Sequence, residues 1–382
     1  MWRIYILALI SFLIGSSQFI TSGFLDQIAA AMRISIATAG QFTTAYALVY
    51  AIVTPIVTSL TAKIDRKKII LCSFGVFILG NILSYFSSSV GIFTISRIIV
   101  ASGAGISVVI ALTIASQIAP IGKKASSIAI VTIGFTIALI IGVPIGRLLS
   151  STFGWRSVFL IISLLSIIAV FIIIVFIPKV QNDQNTSIKE QLKLFKNPRV
   201  IMGLMITLFW LSGYALVYVY ISPFLTKGLK LSANLVVLAL FVFRIACLVG
   251  SKIGGYCADR YGVINTLLVS MVCDIVSLSF LTISINSAIY IFIFLFFWSA
   301  TVWSVQPAQL ANLASLIPSQ TSMILGLNQS VSQMSMAIGS VLGGVIISFS
   351  PMTSLAWLGN IGVLGSIICV LFLKRKLVTD KF

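Results

Sequence analysis

Three charged residues interrupt stretches that are otherwise apolar: Arg97, Arg244 and Asp274. A charge in such surroundings costs several kcal/mol and seldom persists without a partner or a pathway. Two Asp-Arg pairs, Asp65-Arg66 and Asp259-Arg260, stand instead where apolar runs end. There a carboxylate and a guanidinium can cap helix ends and bridge neighbours. Trp210, Tyr214 and Tyr218 recur at i, i+4 and i+8, which is one face of a helix, and Tyr46 and Tyr50 repeat the spacing. Five amides, Gln306, Gln309, Asn328, Gln329 and Gln333, also lie in apolar runs. Facing lipid they would be costly, so they are expected to face a bundle interior or a wet cavity. Aromatic rings with amides suit a planar, neutral, hydrogen-bonding ligand. The plain alternative is helix packing or an interfacial belt. Covalent chemistry finds no support. There is no histidine, the five cysteines show no paired spacing, and no paired carboxylates occur. No cofactor or metal is implied.

The elements that carry these residues follow from composition. Hydrophobic residues make up 59% of the 382 positions and charged residues 8%, against about 25% charged in soluble domains. Runs of roughly 20 apolar residues recur along the chain, long enough to cross a bilayer as helices. They lack the alternation of barrel strands. The pattern predicts an all-α polytopic membrane protein. Its twelve helices fall at 5–24, 37–60, 69–87, 91–113, 126–150, 156–177, 200–224, 234–256, 264–284, 288–311, 322–347 and 353–373. The first run is followed by many like it and has no small-residue cleavage site, so it is expected to be retained. A hydrophilic stretch divides the helices six and six, giving halves at 1–178 and 200–382 with a linker at 179–199. The linker, with Lys189, Glu190 and Lys193, suggests one short amphipathic helix on the membrane surface. Net charge is +18. Most Lys and Arg fall in alternate loops and at the ends, including Arg3, Lys63–Lys68, Lys123, Lys124 and Lys374–Lys376. That is the positive-inside pattern, with both termini cytoplasmic, rather than a nucleic-acid-binding face.

Arg244 and Asp274 each stand about ten residues, roughly 15 Å at 1.5 Å per residue, above the turn joining helices 8 and 9. Equal depth predicts an intramembrane ion pair between them. In helix 5, Gly142, Pro144 and Gly146 permit close approach and a bend, whether as plain packing or as a hinge. Repeated six-helix halves put a binding site near mid-membrane, where the halves meet.

The whole chain resembles the major facilitator superfamily, and within it the drug:proton antiporter branch that includes arabinose-, purine- and nucleoside-efflux permeases. The resemblance is carried by Asp65-Arg66 in Thr61–Lys68, and by the cleaner second copy Gly255-Tyr-Cys-Ala-Asp259-Arg260-Tyr-Gly262. It is carried also by Arg97 with Gly103 and Gly105, by Gly142-Val-Pro144-Ile-Gly146-Arg147, and by Trp303-Ser-Val-Gln-Pro307-Ala-Gln309. It implies an exporter of small organic molecules working by alternating access: purine- or nucleoside-like compounds, sugars or drugs. The Asp-Arg pairs would latch the cytoplasmic gate, and Gly142, Pro144 and Gly146 would form an exporter-type hinge. Related efflux permeases carry Thr-Glu-Phe in helix 1; here Ser17-Gln18-Phe19 stands there. Glutamine does not titrate. Asp26, near the outer mouth of helix 1, and Asp274 are therefore the candidate proton carriers. The substrate-binding candidates are Gln18, Tyr46, Tyr50, Arg97, Trp210, Tyr214, Tyr218 and the five amides. A uniporter or importer without proton coupling is the alternative within transport. A membrane enzyme or lipid-handling protein is the distant one, and a channel lacks a ring of charges or filter repeat. The expected setting is a bacterial cytoplasmic membrane, as a monomer.

Overall fold

The computed structural model describes every residue except 1, 62–63, 121–123, 181–193, 195, 284–286, 318–320 and 380–382. Asp183, Lys189, Glu190 and Lys193 of the linker, and the amphipathic helix expected there, lie outside the described residues, as do Lys63, Lys123 and Asp380. The described residues form helices, turns and short connections, with no strand among them. Among the described residues, twelve helices are long and apolar enough to span a membrane. They are α1 (Trp2–Gly23), α2 (Ile36–Leu60), α3 (Arg66–Tyr85), α4 (Val90–Gln117), α5, α6 (Trp155–Phe176), α7 (Pro198–Tyr218), α8 (Ala233–Tyr261), α9 (Val263–Ile283), α10 (Ala288–Leu316), α11 (Thr321–Phe349) and α12 (Ser354–Thr379). The fifth, α5, comprises Lys124–Ile137 and Val143–Phe153, joined by a π-helical turn over Ala138–Gly142. Pro144 is the second residue after that turn. Proline lacks the N–H of the helical ladder and crowds the preceding turn, and a widened turn accommodates both.

The chain divides into two compact units, residues 1–35 with 45–188 and residues 36–44 with 189–382. In the first unit α1 packs on α5 and α6, and α3 on α4 and α6. In the second α7 packs on α11 and α12, and α9 on α10 and α12. Each pairing in one unit has its counterpart six helices on in the other, so the repeat read from the Asp-Arg motifs is also a repeat of packing. The start of α2 belongs to the second unit: Ser340 Oγ donates to Gly40 O at 2.7 Å, and Tyr220 OH donates to Ser340 O at 2.7 Å. Burial pushes the Tyr220 hydroxyl above its usual range, which keeps it a donor.

In the first unit the helix-5 glycines act through close approach to α1. A Cβ on Gly146 would stand 2.1 Å from Ile20 Cγ1, and one on Gly142 would stand 2.7 Å from Ser16 Oγ. Side chains there would force the two helices apart.

Candidate functional site

Each unit buries one arginine among aromatic rings. In the first unit Arg97 on α4 is 1% exposed. Its Nη2 donates to Ser17 O at 2.9 Å, and its guanidinium lies 5.0 Å from the Tyr46 ring centroid and 5.5 Å from that of Phe159. Arg97 Nη1 has no hydrogen-bond partner, nor has the Tyr46 hydroxyl. Ser17 in turn donates to Asn81 Oδ1 at 2.7 Å. Gln18 and Tyr50 are buried on the same two helices as Ser17 and Tyr46. Arg97 is thus held by a backbone carbonyl and ring faces, with no carboxylate on it among the described residues.

In the second unit Arg244 on α8 is fully buried. Its Nη2 donates to Tyr218 OH, while Nε and Nη1 have no acceptor. The guanidinium lies 4.9 Å from the Tyr218 centroid and 5.2 Å from that of Phe243. Tyr218 stacks on Tyr214 at 4.9 Å, and Trp298 lies 6.0 Å from Tyr214 and 5.3 Å from Phe243. Trp210, one turn before Tyr214, is buried with its indole N–H unpaired. The face Trp210–Tyr214–Tyr218 read from spacing therefore does turn inward.

The expected ion pair between Arg244 and Asp274 is not formed. Asp274 on α9 is 1% exposed, its carboxyl is hydrogen-bonded by Trp298, and its Oδ1 has no partner. Spacing gives depth, but azimuth decides contact. Arg244 turns towards Tyr218 of α7, and Asp274 turns towards Trp298 of α10, with Phe243 and Trp298 in the run between them.

The ion pair found among the described residues is Arg147–Asp26, at 2.5 Å. It ties the helix Leu25–Met32, which follows α1, to the second segment of α5. Arg147 Nη1 also donates to Gly23 O at 3.2 Å. Asp26 thus carries a fixed cation, whereas Asp274 has none on it among the described residues. Sequence reasoning flags Asp26 but not its partner, although Arg147 directly follows the Gly-x-Pro-x-Gly motif.

The amides divide. Gln309 Nε2 donates to Gly203 O at 2.7 Å and to Thr207 Oγ1 at 2.9 Å, and Gln309 Oε1 accepts from Asn312 Nδ2 at 3.2 Å. Thr207 donates to Asn328 Oδ1 at 2.7 Å. This network joins α7, α10 and α11 and uses up most of the bonding capacity of Gln309. Nothing in the sequence pattern singles out Thr207 and Asn312. Gln333 is buried, Gln306 is half-buried and Gln329 is exposed.

The two Asp-Arg copies also differ. Asp65 caps α3: its Oδ1 accepts from Lys67 N at 2.9 Å and from Val180 N at 3.3 Å, and Arg66 N donates to Val180 O at 2.9 Å. That copy pins the segment after α6. Asp259 and Arg260 lie exposed in the last turn of α8, with Arg260 Nη1 donating to Tyr256 OH at 2.5 Å. Among the described residues no His, Cys, Asp and Glu cluster suits a metal ion.

Comparison with known proteins agrees with this architecture. The sequence profile described as Major Facilitator Superfamily matches residues 7–340 and 212–381. An uncharacterized MFS-type transporter of Bacillus subtilis (strain 168), YbcL, is 44% identical over 97% of this chain and 95% of its own. A second from that organism, YtbD, is 33% identical over 95% of this chain and 92% of its own. The crystal structure of a D-xylose-proton symporter superposes with a TM-score of 0.81 at 14% identity, covering 97% of this chain and 96% of that one. That of a point mutant of the nucleoside transporter NupG does so with a TM-score of 0.78 at 13% identity, covering 97% and 99%. At such identities the structural likeness speaks for the fold alone.

Proposed function

The chain belongs to the major facilitator superfamily, and from that premise we propose that it is a secondary active transporter that exports small, planar, acceptor-rich organic molecules by proton antiport. Transport, not enzymatic conversion, is the activity of the family. The finer reading rests on one observation. Among the described residues, the buried groups without partners on the two ring-packed arginines and the Trp210 face are donors: Arg97 Nη1 in the first unit, and Arg244 Nε and Nη1 and the Trp210 indole in the second. Each buried donor left unsatisfied costs about 1–3 kcal/mol. A ligand rich in carbonyls, ring nitrogens or hydroxyl oxygens offsets that cost, and the stacked Tyr214 and Tyr218 favour a planar body. Purine- or nucleoside-like solutes meet both conditions best; a sugar meets the first alone, and an amphiphilic drug the second.

Export is supported by the resemblance of the Gly142–Pro144–Gly146 segment to the exporter motif, and its π turn makes it a point of flexure in the helix that packs on α1. Proton coupling is supported by Asp274, a buried carboxyl with one oxygen free and no cation on it, and so able to take and give a proton. One observation favours a second reading, a uniporter or importer without proton coupling: Gln18 stands where the related efflux permeases have a carboxylate. The setting we infer is a bacterial cytoplasmic membrane with both termini inside, on the charge distribution of the loops.

Counterflow in proteoliposomes tests the substrate class. Vesicles preloaded with adenine, adenosine, xylose or a cationic dye are given a labelled trace of the same solute. Accumulation of the purine or nucleoside label is expected. Accumulation of the dye alone would overturn the acceptor-rich reading while leaving transport intact.

A further inference from the structure

A groove of about 440 Å³ opens on the outer face of the second unit, between α8, α9 and α10. It is separate from the arginine cluster, and its walls are almost wholly apolar. Its origin is a packing mismatch. The backbones of α8 and α10 touch, so that a Cβ on Gly250 would stand 2.0 Å from Ala300 O. Helices α8 and α9 each pack closely on α10 but only sparsely on each other, which leaves a cleft between them. The cleft walls face outward: Ile253 is 52% and Val269 63% exposed. Both belong to membrane-spanning segments, so the medium at the cleft mouth is lipid.

The dimensions are those of one leaflet. Along α8 the lining runs from Val249 to Tyr261, about 18 Å at 1.5 Å per residue. Half of a hydrocarbon core of about 30 Å is about 15 Å. The groove starts at the α8–α9 turn, where Tyr261 and Asn265 line it, and ends near mid-membrane. Charge marks the turn end. Arg260 is exposed there, its guanidinium 5.7 Å from the Tyr261 ring centroid, and it makes no ion pair among the described residues. Under the topology proposed above this turn is cytoplasmic, where anionic lipids concentrate.

We propose that this groove is a binding site for one acyl chain of an anionic phospholipid of the cytoplasmic leaflet, with its phosphate at Arg260. The chain fills the cleft between α8 and α9, and the Arg260 guanidinium holds the headgroup. The site does not depend on which solute is carried.

Native mass spectrometry of the purified, delipidated full chain, titrated separately with phosphatidylglycerol and phosphatidylcholine, tests it. Wild type is expected to hold one phosphatidylglycerol at least tenfold more tightly than phosphatidylcholine. Val269→Trp and Ile253→Trp, both at outward-facing positions, put a large ring into the cleft and are expected to weaken retention at least tenfold. Arg260→Gln is expected to erase the headgroup preference. Retention of phosphatidylglycerol at wild-type strength in both tryptophan variants, with unchanged melting temperatures, would overturn the site. Equal binding of the two lipids by wild type would overturn its anionic character.

Discussion

Replacing Asp26 with asparagine removes one charge from the Arg147–Asp26 pair and leaves the other in place. The side chain of Arg147 is 4% exposed and that of Asp26 18%, so solvent cannot reach the stranded guanidinium to any useful extent. What remains to it from Gly23 is a carbonyl at 3.2 Å. Breaking a buried pair by removing one partner costs about 3–5 kcal/mol. The partial exposure of Asp26 argues for the lower end, about 3 kcal/mol, or roughly two decades in an equilibrium constant. Replacing both residues, Asp26→Asn with Arg147→Met, removes the stranded charge and should restore most of that loss, because pairs of similar volume without charge are often neutral in stability. The assay is a double-mutant cycle on thermal unfolding in detergent, read by retained monodisperse protein. A coupling of about 2 kcal/mol or more is expected. Additive single effects would refute the claim that this pair fastens the end of α1 to α5.

Three further outcomes follow from the same geometry. Gly146→Ala places a methyl group 2.1 Å from Ile20 Cγ1, so it should lower stability by about 1–3 kcal/mol through overpacking and slow transport, whereas Gly75→Ala, with nothing within 4 Å, should do neither. Gln309→Leu takes away the Oε1 that accepts from Asn312 Nδ2, while Gly203 O keeps its helical bond and Thr207 its bond to Asn328, so it should cost about 1–3 kcal/mol for the one group left unsatisfied, seen as a lowered melting temperature. Asp274→Asn keeps the shape and the contact with Trp298 but cannot release a proton, so gradient-driven accumulation should vanish while downhill exchange of labelled substrate persists; unchanged accumulation would remove Asp274 from the coupling path.

The span pattern is legible because it needs only composition and length. The predicted helix at 37–60 is Ile36–Leu60, and that at 264–284 is Val263–Ile283. One end that differs does so for a reason. The helix expected at 234–256 runs on to Tyr261, because Asp259 and Arg260 are exposed at the membrane edge and helical backbone continues past the apolar run. The π turn before Pro144 leaves no mark in periodicity, since a single extra residue per turn is lost among uniformly apolar neighbours. At the site, residue type and depth are readable and rotation about the helix axis is not. That is why spacing points Arg244 and Asp274 at each other, and why it does not point Arg147 at Asp26, 121 residues away in sequence. The amides do face inward at Gln309, Asn328 and Gln333, but whether an amide is bonded within the bundle or open to a ligand depends on neighbours such as Thr207 that no spacing rule points to.

The most direct test of the central claim is uptake of labelled purines and nucleosides into inside-out membrane vesicles containing the protein, with and without an imposed proton gradient. Accumulation above equilibrium that collapses when a protonophore dissipates the gradient is the predicted result. Equilibration indifferent to the gradient would contradict antiport, and the absence of flux for every solute class would contradict transport itself.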